Sequence, residues 1–394
     1  MHLKYIRFIS VLYILAIIGL FFYSFTQIDL GLTWIKWPLG HMIELGFKQI
    51  GYFNRSFSTA LYIFLLLLLF GTYVSFLFLA NKNKLTPKTV WVLCVVTAGV
   101  LVFSYNTFSY DLFNYIFDAK IVTHYHANPY LHKALDYPHD PMLGFMHWTQ
   151  RTYPYGPLWL LITIPLSFVG LKIFLPTFLL FKLLMAGSYV GSVYYIRKIN
   201  TKINPKNEVF NMVLFGLNPL VIIECLVSAH NDIVMLFLSL LSMYLLLNKK
   251  IYRSILVLIM SIGIKFATVF ISPVFLFVFY IFYKKKKIEW NFLISSVLAL
   301  MFIPLVLVTQ RTNFQSWYLL YLLPFAALIT RKYYVVIPIG IVSFAALLLY
   351  TPFLYTGNWN PPIPMILNWI MISSIGVSLL IVGIVYIQRN GKLH

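Results

Sequence analysis

The sequence predicts an all-α integral membrane protein, a polytopic bundle of about 12 transmembrane helices making one domain over residues 1–394. Three observations predict it. The chain is 61% hydrophobic and only 10% charged, whereas a soluble domain is about 25% charged. Apolar runs of about 18 or more residues recur along its length. These runs are continuous rather than alternating, which argues against a β-barrel.

The charge pattern orients the bundle. The formal net charge is +20, and it resides in short segments between the apolar runs: "NKNKLTPK", "RKINTKINPK", "NKKIYR", "YKKKK", "TRKYY" and "QRNGKLH". Such clusters mark cytoplasmic loops. They point to membrane lipids as partners, not to nucleic acid. Cys94 and Cys225 lie in apolar runs, so neither a disulfide framework nor a thiolate metal site is expected.

With the basic loops inside, the elements follow in order. The first helix runs about 8–25. It lacks a small-residue cleavage pattern and is expected to be retained rather than removed as a signal peptide. The segment "WIKWPLGHMIELGFKQIGYF" holds an interfacial helix, because Trp and Tyr suit the headgroup region. Helices near 59–79 and 88–104 bracket "NKNKLTPK". Residues 105–155 then form the longest polar stretch, on the outer side with interfacial helices. They carry Asp111, Asp118, Asp136 and Asp140, four of only 10 acidic residues. A short re-entrant or tilted piece near 157–170 and one crossing near 175–196 keep "RKINTKINPK" inside. Paired helices complete the chain: 208–226 with 232–247, 253–268 with 270–283, 290–309 with 315–329, and 333–350 with 365–386. No internal repeat is visible, which weighs against an inverted-repeat transporter.

The chemistry is sought in the polar stretch "FSYDLFNYIFDAKIVTHYHANPY". Asp111, Tyr115 and Asp118 fall at i, i+4 and i+7, on one helical face. A carboxylate at a membrane boundary is costly unless solvated or paired. Solvation in a loop is an adequate account of Asp118, Asp136 and Asp140. It is a poorer account of Asp111, hemmed by Phe108, Tyr110, Leu112 and Phe113. One such carboxylate suits sugar transfer from a phosphate leaving group to a hydroxyl. The phosphate departs without protonation, so a general base is needed but no second acid.

A cation for the phosphate is the other requirement. Lys265, in "SIGIKFATVFISP", is an intramembrane lysine that needs a partner or must snorkel to the interface. Arg311 and Arg151 are further candidates, since guanidinium suits bidentate phosphate contact. "NPLVIIECLVSAHNDIVM" places Glu224, His230, Asn231 and Asp232 around a sharp turn. Asn231 or Asp232 is expected to cap the following helix, which leaves His230 for substrate contact. Asp118 and Tyr115 share the Asp111 face and join the candidate substrate contacts. No zinc-type spacing appears, and no cofactor is indicated. "HANPY" and "YPYGPLW" are turn signals whose aromatic residues anchor at the interface or stack on sugar.

These motifs, with "FQSWYLLYLLPFAAL" and in this order over roughly 105–330, resemble the GT-C superfamily of membrane glycosyltransferases. The similarity is greatest to bacterial polyprenol-phosphomannose-dependent α-mannosyltransferases. The resemblance implies a polyprenyl-phosphate sugar donor, a lipid or glycan acceptor, transfer of a hexose (mannose in that branch) and inversion at the anomeric carbon. It implies a multi-pass protein of the cell membrane with an extracytoplasmic active site. Asp111 then matches the general base, Lys265 the phosphate-binding lysine, and His230 with Asp232 the His-Asn-Asp turn. The chain departs from the pattern at Asp118–Lys120, "DAK", where relatives read "QGR" or similar. Two rival classes remain, a transporter or lipid-linked sugar flippase and a non-catalytic scaffold. Both would be indifferent to loss of Asp111.

Overall fold

Seven helices of the computed structural model are long and apolar enough to cross a membrane, eight if one bent pair counts as a span. Residues 2–329 and 331–390 are described. Helix α1 spans His2–Ser24, α2 Pro38–Lys48, α3 Arg55–Asn81 and α4 Pro87–Leu101. Asn54 caps α3 by accepting from the Phe57 N–H at 3.4 Å. Thr86 caps α4 by accepting from Thr89 N–H at 3.1 Å, and Pro87 follows where no N–H is needed.

Next come α5 (Asp111–Thr123), α6 (Pro157–Val169) and α7 (Phe174–Ile203). The run expected at 208–226 is broken. It forms α8 (Glu208–Gly216) and α9 (Pro219–Ile222), with a π-turn Ile223–Val227, and it bends by 51°. Pro219 cannot donate into α8, and Asn218 instead accepts from Leu220 N–H at 2.9 Å to restart the helix. Helices α10 (Asp232–Leu247) and α11 (Ile251–Ile264) follow. The break expected near 269 falls at Lys265, which is extended, and a 3-10 turn Phe266–Ile271 leads into α12 (Ser272–Tyr283).

The chain closes with α13 (Trp290–Thr312), a 3-10 turn Ser316–Tyr321, α14 (Leu323–Ala326), α15 (Tyr333–Leu348), α16 (Thr351–Thr356) and α17 (Ile363–Asn390). No strand occurs among the described residues beyond an isolated Lys133–Thr152 bridge.

The span count is below the twelve expected, and length is the reason. Helices of 13 to 16 residues, such as α4, α6, α10 and α11, reach only about 20–24 Å at ~1.5 Å per residue, short of a ~30 Å hydrocarbon core. In the stretch 105–155, α5 is the one full helix. Two 3-10 turns, Ala134–Asp136 and Pro141–Gly144, stand where further interfacial helices were expected.

The basic loops gather at one end. Arg331 donates to Asn81, Lys206 and Asn207. Lys202 donates to Asn248, Asn204 to Asn291, and Arg389 lies over the Tyr333 ring. Helix α10 packs between α7 and α11, α5 against α6 and α7, and α15 against α17. Apolar side chains on α17, including Trp369, Ile372 and Leu380, remain exposed. Such a surface is compatible with a lipid surround.

Candidate active site

The start of α5 carries the central carboxylate. Asn106 donates to the Ser109 carbonyl at 2.7 Å, and Ser109 Oγ accepts from Asp111 N–H at 3.1 Å. These bonds fix Asp111 as the first residue of the helix, where the positive end of the macrodipole favours an anion. Its side chain is 15% exposed, open enough for a ligand yet short of full solvation.

Two polar segments converge on it. Arg151 Nη2 lies 3.6 Å from Asp111 Oδ1, with its guanidinium over Trp148. His230 Nδ1 lies 3.5 Å from Asp111 Oδ2, and His230 Nε2 lies 3.3 Å from Glu224 Oε2. These contacts are longer than good hydrogen bonds. The His230 ring stacks on Trp317, centroids 4.2 Å apart.

The His230 turn is built under constraint. Ala229 holds φ of +59°, unusual for a residue with a Cβ, and His230 N–H donates back to the Glu224 carbonyl at 3.0 Å. Lys182, buried in α7, donates to the Leu226 and Val227 carbonyls and to Ser104 Oγ. The lysine amine thus satisfies carbonyls at the end of the π-turn.

Lys265 and Asp232 form the second ion pair. Lys265 Nζ reaches both Asp232 oxygens at 2.9 Å and lies 5.9 Å from the Tyr155 ring centre. Asp232 is fully enclosed while Lys265 keeps a 23% exposed side chain. The "YPYG" loop is docked against this corner by two glycines. Gly156 N–H donates to the Ile264 carbonyl at 3.1 Å, and a Cβ on Gly156 would come within 2.2 Å of the Gly263 oxygen. Only glycine permits that approach.

The expected cap at the "HND" turn is not formed, because neither Asn231 nor Asp232 caps α10 with its side chain. Asn231 instead accepts from Tyr115 Oη at 3.3 Å, and Asp232 is committed to Lys265. Tyr115 is buried against Tyr155 and Trp159, so it buttresses this turn from behind. Asp111, Arg151, His230, Asp232 and Lys265 are thus brought into one corner. Asp118 is half-buried, with no hydrogen bond or ion pair among the described residues. Arg311 is exposed in the last turn of α13 and has none either. Sequence reasoning passed over Lys182, though "FLLFKLLM" sets a lysine in an apolar run as plainly as Lys265. Glu224 was noticed in its turn but given no role.

Electrostatics separate the two aspartates of α5. Burial alone would raise the Asp111 carboxyl. His230, then Arg151 and Lys265, outweigh it and hold the group below its ordinary value. Burial dominates at Asp118, with Arg151 opposing and Asp111 adding, and pushes that carboxyl up to about 8. Burial by itself would lower His230, but Asp111 and Glu224 raise it to about 9, so the ring is cationic at neutral pH. The arrangement offers one ionised, accessible carboxylate for a proton and flanking cations for an anionic group. Among the described residues, no three His, Cys, Asp or Glu side chains converge as metal ligands.

No curated protein and no solved structure matches the chain. A family model described as alpha-(1->6)-mannopyranosyltransferase, N-terminal domain, matches residues 30–281, a range that includes Asp111, Arg151, Glu224, His230, Asp232 and Lys265, and the chain belongs to that family.

Proposed function

We propose that this chain moves a mannosyl unit from a polyprenyl-phosphate carrier to a hydroxyl of a lipid or glycan acceptor, with inversion, at the extracytoplasmic face of the cell membrane. The observation that carries the reading is the state of Asp111. It is the accessible, ionised carboxylate of the corner, and its contacts to His230 and Arg151 are loose, at 3.5 and 3.6 Å. A carboxylate so held is free to accept a proton from a bound hydroxyl.

The step is a single displacement. The acceptor oxygen attacks the anomeric carbon, the carbon–oxygen bond to phosphate breaks, and the phosphate keeps its electron pair. The hydroxyl proton passes to Asp111. Lys265 and Arg151 lie near enough to share the charge on the departing phosphate. In this reading Arg311, exposed at the end of α13, offers a further cation to the lipid phosphate. An inverting step that forms the α-(1→6) linkage of the family's name requires a β-configured donor.

Sidedness and span number follow from the same picture. The site lies at the end remote from the basic loops, and basic loops face the cytoplasm. In this reading α4, α10, α11 and the segment 316–326 also run from one end to the other. With the bent α8–α9 pair they bring the passes to about twelve, the shorter ones accommodated by local thinning of the bilayer. No cofactor is invoked. Clustering of Asp111, Arg151, Asp232 and Lys265 at the end remote from the basic loops, rather than at mid-depth, disfavours the transporter reading.

The test supplies purified protein with synthetic β-linked polyprenyl-phosphate sugars and candidate acceptors. An α-mannosylated product is expected. A β-linked product would end the inverting mechanism, and transfer only from a nucleotide sugar would end the carrier assignment.

A further inference from the structure

We infer that Glu224 is a positioning residue of this site, which, backed by Tyr350, holds His230 against Asp111 and keeps its ring charged through the transfer. The inference rests on the transfer reading above. Glu224 is completely enclosed, and among the described residues its one charged neighbour is His230, at 3.3 Å. Its other oxygen accepts from Tyr350 Oη at 2.8 Å. The Tyr350 ring packs on Phe108, three residues before Asp111 in the chain, with centroids 4.8 Å apart. Tyr350, Glu224, His230 and Asp111 therefore form one row of contacts drawn from three separate segments.

A buried carboxylate without a counter-charge is strongly unfavourable. Among the described residues, Glu224 has no cation within reach except the imidazolium. Lys182 is used on the Leu226 and Val227 carbonyls and thereby locks the turn that carries Glu224. His230 is faced by Asp111 from α5, by Glu224 from the preceding π-turn and by the Trp317 ring from the turn Ser316–Tyr321. Arg151, Asp232 and Lys265 pair elsewhere and do not contact the ring. Its charge state is thus set by two carboxylates.

The consequence appears during the reaction. When Asp111 takes the hydroxyl proton, it loses its negative charge and ceases to stabilise the imidazolium. Glu224 then remains as the one anion beside the ring. It prevents His230 from discharging its own proton into the site, so a cation persists beside Asp111 while the hydroxyl proton is transferred. A carboxylate orienting an imidazole in this way is a recurring device in acid–base sites.

The experiment is the pH dependence of turnover for wild type and Glu224→Gln, with binding of the carrier lipid and thermal unfolding measured alongside. The expected result is a low-pH plateau within about tenfold of wild type, unchanged donor binding, and an alkaline limb moved toward neutrality by about one pH unit or more. A uniform loss at every pH, with the limb in place, would reduce Glu224 to a packing role and overturn the inference. So would an unchanged profile. If Glu224→Gln does not fold, Tyr350→Phe removes only the anchoring hydroxyl and is expected to move the limb in the same direction by less. If Asp111→Asn turns over like wild type, the transfer reading itself fails. If Asp111→Asn is inactive but Glu224→Gln keeps the wild-type limb, only the present inference fails.

Discussion

Asp140 and Asp111 belong to the same polar stretch, and the protein treats them oppositely. Asp140 is closed in. It accepts from Lys120 at 2.5 Å, from Tyr125 Oη at 2.6 Å and from Met142 N–H at 2.9 Å. Asp111 has no contact to a cation shorter than 3.5 Å and stays partly open. Burial would raise Asp140, but Lys120 and the two other donors outweigh it and hold it below the ordinary range. Saturated hydrogen bonding makes an acid a strut of the loop. Incomplete bonding beside cations leaves an acid ready for a substrate proton. The difference teaches that net ionisation does not distinguish the two; unused acceptor capacity does.

The largest effect that sharpens this contrast is expected at the Lys265–Asp232 pair. Lys265→Met strands an enclosed carboxylate, which costs about 3–5 kcal/mol. The double change Lys265→Met with Asp232→Asn is expected to recover most of that stability, read as Tm, and yet to stay at least about tenfold slower, because the phosphate has lost a cation. Full recovery of turnover would make the pair purely structural.

Asp118 comes next. It is neutral below about 8 and ionises above that value. On the proposed transfer, turnover is therefore expected to decline as pH rises through this range, because a new negative charge forms where Arg151 and Asp111 act. Asp118→Asn, which stays neutral at every pH, is expected to change turnover by less than about twofold at neutral pH and to flatten that decline. A decline as steep as in wild type would show that another group titrates there.

Stability of the loop is the next test. Asp140→Asn removes the partner of Lys120 and is expected to lower stability by about 3 kcal/mol. Because the folded value of Asp140 is lowered, its contribution is present above the ordinary carboxylate range and is lost as pH falls through the lowered value. The wild-type advantage in Tm over Asp140→Asn is thus expected to shrink in acid. The smallest effect is expected at exposed Asp136, which caps the Lys133 N–H at 3.0 Å. Asp136→Ala is expected to change Tm by no more than about 1–2 °C and turnover by less than twofold.

The all-helical fold was legible because continuous apolar runs and basic punctuation survive in any membrane bundle. Boundaries at Asn54, Thr86 and Pro157 carried local cap or proline signals. The break at Gly216–Asn218 was less legible, since "FGLNPLVI" still reads as apolar. Asp111 stood out because its neighbours are aromatic. The roles of Asp118 and Asp140 were beyond sequence spacing, because their difference depends on whether Lys120 and Tyr125 fold back onto one of them. Spacing alone leaves Lys265 either a phosphate partner or a snorkelling side chain, and its contact with Asp232 is visible only once α10 and α11 are packed together. Glu224 gained its meaning from Tyr350, distant in sequence, which no local pattern connects to it.

The most direct measurement compares product formation by wild type, Asp111→Asn and Asp140→Asn under saturating carrier lipid and acceptor, each normalised to folded protein. The account expects Asp111→Asn to be slower by about 10²–10⁴-fold with carrier binding retained, and Asp140→Asn to match wild type. Product made at the wild-type rate by Asp111→Asn would contradict it.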